Sequence, residues 1–321
     1  MKVISLEYPL IQGQIPDGPC VLAMGFFDGV HRGHQAVIKR AQAIANKRGL
    51  PLAVLTYNQS PAVVFRQFKH GLHYLSNLDR KIDLMSQLGV DYLYVMAFTS
   101  HLAQLPPQSF IDQVIMKLHP AVTVAGFDHT YGPKDAGMAE LPGYAKGRFA
   151  VEVVGKLSDQ NEEKVASTKI RSLLDNGQVN QANQLLGYRY CTQGTVVHGL
   201  ARGRTLGFPT ANVDWQVDQR IPAVGVYAVQ FLVNHHWYNG MASVGYNETF
   251  GEHNQKTIEV YLFDFNDQIY GERVTVRWVK EIRGQVKFSS ADELVSQLRQ
   301  DEDDCRQLLT NLKDLPEQLV H

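Results

Sequence analysis

Apolar residues along this chain follow two different patterns, and the change falls near residue 187. Before it, short runs dense in Val, Leu, Ile and Ala at 21–24, 52–57, 92–97, 122–125 and 151–154 alternate with segments near 35–48, 78–88 and 108–118. In the latter, apolar positions recur every three to four residues. Continuous apolar runs suit strands buried on both faces, and the longer spacing suits helices with one buried stripe. This alternation predicts an α/β domain with a parallel sheet, whose ligands gather beyond the C-terminal ends of the strands.

After residue 187, short β-rich runs at 195–197, 225–233, 237–244, 257–265 and 273–279 alternate with Gly, Asn and Asp turns. That pattern predicts a small antiparallel barrel. A single apolar stripe over 291–312 predicts a closing helix packed on it. The expected domains are 1–186 and 187–321.

Composition narrows the function classes. The 321 residues suit two domains with separate cores, and the formal net charge of −1 comes with no long basic or acidic block. Neither nucleic acid nor a membrane is an expected partner. Residues 1–10 lack the apolar core of a signal peptide, and no stretch approaches the roughly 20 apolar residues of a membrane span. Cys20, Cys191 and Cys305 are too scattered for a disulfide or zinc framework. These features predict a cytoplasmic protein.

The most informative run is Gly25-Phe26-Phe27-Asp28-Gly29-Val30-His31-Arg32-Gly33-His34, which joins an apolar strand to a helical pattern. A helix start offers unpaired N–H groups and partial positive charge, both favourable to phosphate. Two imidazoles placed there can donate to oxygens that gain charge during attack on a nucleoside triphosphate. A metal half-site or two ordinary surface histidines are the alternatives, although no cysteine or third histidine lies nearby. The run is not a P-loop.

Other runs add chemistry. Ser167-Thr168-Lys169-Ile170-Arg171 puts two hydroxyls and two cations near a helix start, either as a phosphate clamp or as a simple N-cap. Gly126-Phe127-Asp128-His129-Thr130-Tyr131-Gly132 follows a strand. Asp128 could bond a heterocycle's edge there and Tyr131 stack on its face, or both could belong to an ordinary loop. In the second half, Gly203 lies in a glycine-rich loop ahead of Phe208-Pro209-Thr210-Ala211-Asn212. Thr210 and Asn212, two apart in extended chain, share a face and offer hard oxygen ligands for Mg²⁺. Glu259, on a strand face with Tyr261 and Phe263, could accept the proton of an attacking hydroxyl or simply face solvent.

In this order the motifs G-F-F-D-G-V-H-R-G-H and L-G-F-P-T-A-N resemble the bacterial bifunctional riboflavin kinase/FMN adenylyltransferase family, also called FAD synthetase. The resemblance covers nearly the whole chain. It implies a Rossmann-like nucleotidyltransferase domain followed by a six-stranded β-barrel kinase domain. ATP would phosphorylate riboflavin to FMN, and a second ATP would adenylylate FMN to FAD with release of pyrophosphate. His31 and His34 match the family's pair on the ATP phosphates, with Gly25, Phe27, Asp28 and Gly33 in the same nucleotide-binding run. Ser167, Thr168 and Arg171 match its phosphate clamp, and Asp128 and Tyr131 its flavin-contacting segment. Gly203, Thr210 and Asn212 match the ATP and Mg²⁺ site of the kinase, and Glu259 its general base.

The chain departs from the family pattern at Gln59 and Ser60, at His129, at Leu200 and within 245–250, where Glu248 stands. Two alternatives follow: an adenylyltransferase with a degenerate flavin-binding barrel, or a non-catalytic flavin sensor.

Overall fold

A computed structural model of the protein describes residues 1–11, 13–68, 71–131, 136–157, 165–199, 202–246 and 256–312. The apolar runs of the first half become strands of one sheet: β1 (Lys2–Leu6), β2 (Cys20–Met24), β3 (Leu52–Tyr57), β4 (Tyr92–Met96), β5 (Pro120–Gly126) and β6 (Ala150–Val154). The order across this six-stranded sheet is β1-β4-β3-β2-β5-β6, and every pairing is parallel. Strands β2 and β3 are buried at every position, which is why their sequences carry no alternation. Strand β1 had no sequence signal. Lys2, Val3 and Ser5 are exposed, and an edge strand needs only one apolar face.

Helix α1 (Arg32–Arg48) starts three residues ahead of the expected 35 and stops at Gly49, whose φ of 63° ends it in the left-handed region. It buries Val37, Ile38, Ala41 and Ala45. Helix α2 (Leu78–Gln87) is capped by the Asn77 side chain, which accepts the Arg80 N–H at 2.9 Å. The helix expected over 108–118 runs without a break from Pro107 to Leu118, with right-handed helical backbone at Phe110, Ile111, Ile115 and Met116. Its hydrogen bonding passes from α-type through a π-type stretch (Ile111–Ile115) to a closing 3₁₀ turn (Met116–Leu118). Helices α3 (Ser167–Asp175) and α4 (Val179–Leu186) follow. By backbone contacts the chain divides into two compact units between Ser167 and Thr168.

The second unit contains β7 (Cys191–Val197), β8 (Thr210–Trp215), β9 (Gly225–Val233), β10 (His236–Tyr246), β11 (Lys256–Leu262) and β12 (Arg273–Arg283). They close into a six-stranded antiparallel barrel in the order β10-β11-β8-β7-β12-β9. Strand β11 stops at Leu262, short of the expected 265, and Asp264 with φ 57° turns the chain away. Helix α5 (Ala291–Thr310) buries Cys305 and Leu309 against Phe208, Ala228, Met241, Phe263 and Val279. The fully buried Asp301 carboxylate accepts from the Arg283 guanidinium at 2.7 and 2.9 Å, fastening α5 to the end of β12.

Candidate active sites

Strand order in the first unit reverses at β2. The chain runs outward through β3 and β4 on one side, then returns to place β5 and β6 on the other. The crevice beyond the C-terminal ends of β2 and β5 is where an open α/β sheet binds ligands. The histidine-rich turn leaves β2 there, and the loop containing Asp128 leaves β5.

That turn is strained. Phe27, Gly29 and Val30 have φ of 55°, 77° and 38°, and a β-branched residue in that region is costly. Such strain persists only where the surroundings over-determine it. Here the Phe26 carbonyl accepts from the Lys81 ammonium at 2.8 Å and the Thr56 hydroxyl at 2.9 Å. The Val30 carbonyl accepts from the Gln35 side chain at 2.8 Å, and the Gly29 N–H donates to Ser76 Oγ at 2.9 Å. Ser167 Oγ donates to the Asp28 carbonyl at 3.0 Å.

His31 caps α1: its Nδ1 accepts the backbone N–H of His34 at 3.3 Å. The two imidazoles stack with centroids 3.6 Å apart and planes 18° from parallel. An accepting Nδ1 holds the ring hydrogen on Nε2, which can then donate to a phosphate oxygen. The buried Phe27 ring meets His34 edge-on at 5.3 Å. Gly25 and Gly33 make room for these rings. A Cβ on Gly25 would lie 2.9 Å from the Phe27 ring, and one on Gly33 would lie 3.1 Å from the His31 ring.

Two of the residues expected at the ligands have protein partners of their own. Asp28 is buried, and its Oδ1 accepts the N–H groups of Leu75 at 3.0 Å and Ser76 at 3.2 Å. Through these two backbone donors its carboxylate anchors the turn to the segment that follows β3. Tyr131 does not present an open face. Its ring is buried in the first unit's core, 6.1 Å from Phe110 and 6.4 Å from Tyr144. Burial raises its phenol pKa well above the ordinary value. Asp128 is exposed at the crevice, while half-buried His129 is pushed down to about 4 by burial and stays neutral. Gly132 lies outside the described residues. Thr168 and Arg171 follow Ser167 on α3, the first exposed and the second half-buried.

In the barrel, β8 and β11 place Asn212 directly opposite Glu259 and Thr210 opposite Tyr261. The four side chains share one half-open face, while Ile258, Val260 and Leu262 alternate into the core. Thr210 Oγ1 donates to Glu259 Oε2 at 3.2 Å. Thr210 also lines a cavity of about 340 Å³ bounded by Val196, Arg204, Pro209, Asp267 and Tyr270. It therefore stands between that cavity and the carboxylate. Gly203 lets the loop pack closely: a Cβ there would lie 2.3 Å from the Phe208 carbonyl. Its own carbonyl accepts the Phe208 N–H at 2.8 Å, closing the loop.

Residues 14–169 match the FAD synthetase family and residues 186–309 the Riboflavin kinase family. A bifunctional riboflavin kinase/FMN adenylyltransferase from Listeria monocytogenes is 46% identical over 98% of this chain and 100% of its own length. The chain belongs to the bifunctional riboflavin kinase/FMN adenylyltransferase family. It carries both domains and is an enzyme of both activities. The Bacillus subtilis member is 42% identical over 98% of this chain and 100% of its own length. A crystal structure from Streptococcus pneumoniae, described as a macrolide-efflux protein, has the same fold: TM-score 0.88, 36% identity, covering 97% of this chain and 100% of that one. The efflux description belongs to that protein. Among the described residues here, no helix is long and apolar enough to cross a membrane.

Where the chain departs from the family pattern, Asn58 and Gln59 both grip Phe98. Asn58 Oδ1 accepts its N–H at 3.0 Å, and the Gln59 amide donates to its carbonyl at 2.8 Å. The Ser60 N–H donates to the Tyr74 hydroxyl at 3.1 Å. Leu200 and Glu248 lie outside the described residues. The sequence reading missed Thr56, Ser76 and Lys81, which hold the turn from behind. Lys81 did leave a signal: it sits three and four residues before Leu84 and Met85, on the apolar stripe of α2.

Proposed function

We propose that His31 and His34 carry the adenylyl transfer and that Glu259, with Thr210 and Asn212, carries the kinase step. In the first, an FMN phosphate oxygen attacks the α-phosphorus of ATP and pyrophosphate leaves. The imidazoles, with the first N–H groups of α1, donate to the oxygens that gain charge. The capped and stacked geometry of His31 supports this role most directly. Ser167 belongs to the same site through its bond to Asp28. Thr168 and Arg171 are assigned to phosphate on their motif alone, as Asp128 is to the flavin.

In the kinase step, the ribityl 5′-hydroxyl attacks the γ-phosphorus of ATP, ADP leaves, and Glu259 accepts the hydroxyl proton. The cavity beside Thr210 suits the nucleotide, and the open face beyond it suits the alcohol. Thr210 and Asn212 suit Mg²⁺, because both offer neutral hard oxygens and Mg²⁺ takes most of its remaining ligands from water and phosphate. Asn212 is seated where a Cβ on Gly199 would lie 2.2 Å from its amide. When bound, Mg²⁺ would neutralise the phosphate oxygens. ATP as donor for both steps assigns the chain to the cytoplasm.

The test is a time course of the purified chain with riboflavin, ATP and Mg²⁺, separated by HPLC. FMN should rise and then give way to FAD, and EDTA should stop both. FMN without FAD, or FAD only when FMN is supplied, would remove one half of the reading.

A further inference from the structure

Lys81 occupies a position where an apolar residue would be expected. Helix α2 turns Leu84 and Met85 into the core, and Lys81 is buried with them at 2% exposure. Burying an ammonium is unfavourable unless it is well bonded, and an apolar side chain of similar volume would cost less. Its Nζ donates to the Phe26 carbonyl at 2.8 Å and lies 4.1 Å from the centroid of the Phe26 ring. The buried Thr56 hydroxyl donates to the same carbonyl. Two donors on one carbonyl oxygen fix a peptide plane more firmly than either alone.

That plane is the first of the strained turn. The Phe26–Phe27 peptide is trans, so the Phe27 N–H points away from Lys81 and Thr56. Among the described residues no protein group accepts that N–H. Four residues further along stands His31. A rotation of the plane would redirect the N–H and move the imidazole with it.

We propose that Lys81, with Thr56, is a positioning residue of adenylyl transfer: it locks the Phe26–Phe27 peptide so that the turn bearing His31 keeps the orientation that serves the nucleotide phosphates. The proposal rests on the reading of His31 and His34 given above. Asp28 is the charged group that acts on the ammonium from the turn, and its carboxylate opposes the effect of burial, which brings Lys81 down to about 8. At neutral pH the site thus has a cation behind it as well as a helix N-terminus before it.

The full chain tests this with Lys81→Met, which keeps the stem and removes the donor, and with Thr56→Val and Thr56→Ser. FAD formation from FMN and ATP is measured as separate kcat and KM, with riboflavin phosphorylation and the melting profile alongside. For Lys81→Met and Thr56→Val, kcat should fall about tenfold to a hundredfold while KM for ATP stays within about threefold, the signature of a misplaced reacting group. Thr56→Ser should recover most of the loss. Phosphorylation of riboflavin should not change. Retained kcat in both Lys81→Met and Thr56→Val, or equal loss in Thr56→Ser and Thr56→Val, overturns the proposal. If the parent chain makes FAD but His31→Ala makes it equally well, the underlying reading fails instead, and the proposal with it.

Discussion

His31 and His34 are stacked face to face, and the first accepts a backbone hydrogen bond from the second. One imidazole is therefore the N-cap of α1 and, in the function proposed above, also the donor to phosphate. Substitution separates them. His31→Ala should lose about 1 kcal/mol of stability with the cap, and FAD formation should fall at least about a hundredfold. His31→Asn, which restores a good cap, should recover the melting temperature and not the activity. FMN formation should survive in both, as read by HPLC.

Glu259 and Thr210 make the complementary prediction. Glu259→Gln keeps the shape and an acceptor oxygen for the Thr210 hydroxyl but cannot take a proton at neutral pH. Riboflavin phosphorylation should fall by about two to four orders of magnitude, while FAD formation from supplied FMN is unchanged. Phosphorylation within a few-fold of the parent would remove Glu259 as the base.

Gly199 tests the seat of Asn212. Its substitution by Ala would put a Cβ 2.2 Å from the Asn212 amide nitrogen, a separation neither group can keep. Gly199→Ala should therefore raise the Mg²⁺ concentration needed for half-maximal phosphorylation and leave adenylylation alone. Titrating both activities with Mg²⁺ in the two chains distinguishes this from general unfolding.

Lys81 predicts a pH dependence of stability. Its folded value of about 8 lies below the ordinary 10.5, so between those values the folded chain holds fewer protons than the unfolded one. The stability contribution of this group is fully present above 10.5 and is lost as pH falls through 8. At pH 7 the buried charge costs on the order of 3 kcal/mol, which Lys81→Met should recover. The gap in unfolding free energy between that variant and the parent should narrow as pH rises from about 8 to 10. A gap that does not vary with pH would mean that Lys81 does not titrate in this range. A variant that is more stable and less active fits a residue retained for its geometry.

Much of the fold was legible because burial on both faces writes itself as an apolar run, as in β2 and β3. Strands β1 and β8 carry no such run. One is an edge, and the other buries only Val213 outright among six residues. His31, His34, Thr210, Asn212 and Glu259 could be picked out because their side chains are unusual for their positions. The protein partners of Asp28 and Tyr131 were not legible, for the opposite reason. A carboxylate in a phosphate-type turn and an aromatic in a loop both look like ligand contacts until their partners, the Leu75 and Ser76 amides and the Phe110 ring, are known. Nothing local announces that Val30 adopts a positive φ, since that strain is imposed by residues far along the chain.

The position of β12 has a consequence for how the protein is made. It is the last strand of the barrel in sequence, yet it lies between β7 and β9. A growing chain can finish the parallel sheet once Val154 has emerged. The barrel cannot close before residues up to Arg283 are available, and until then β7 and β9 each keep one edge unpaired. A transcript or ribosome stopped between those points would release a half-made product with an intact first sheet and two sticky strands, one that clearance must reach before another copy does.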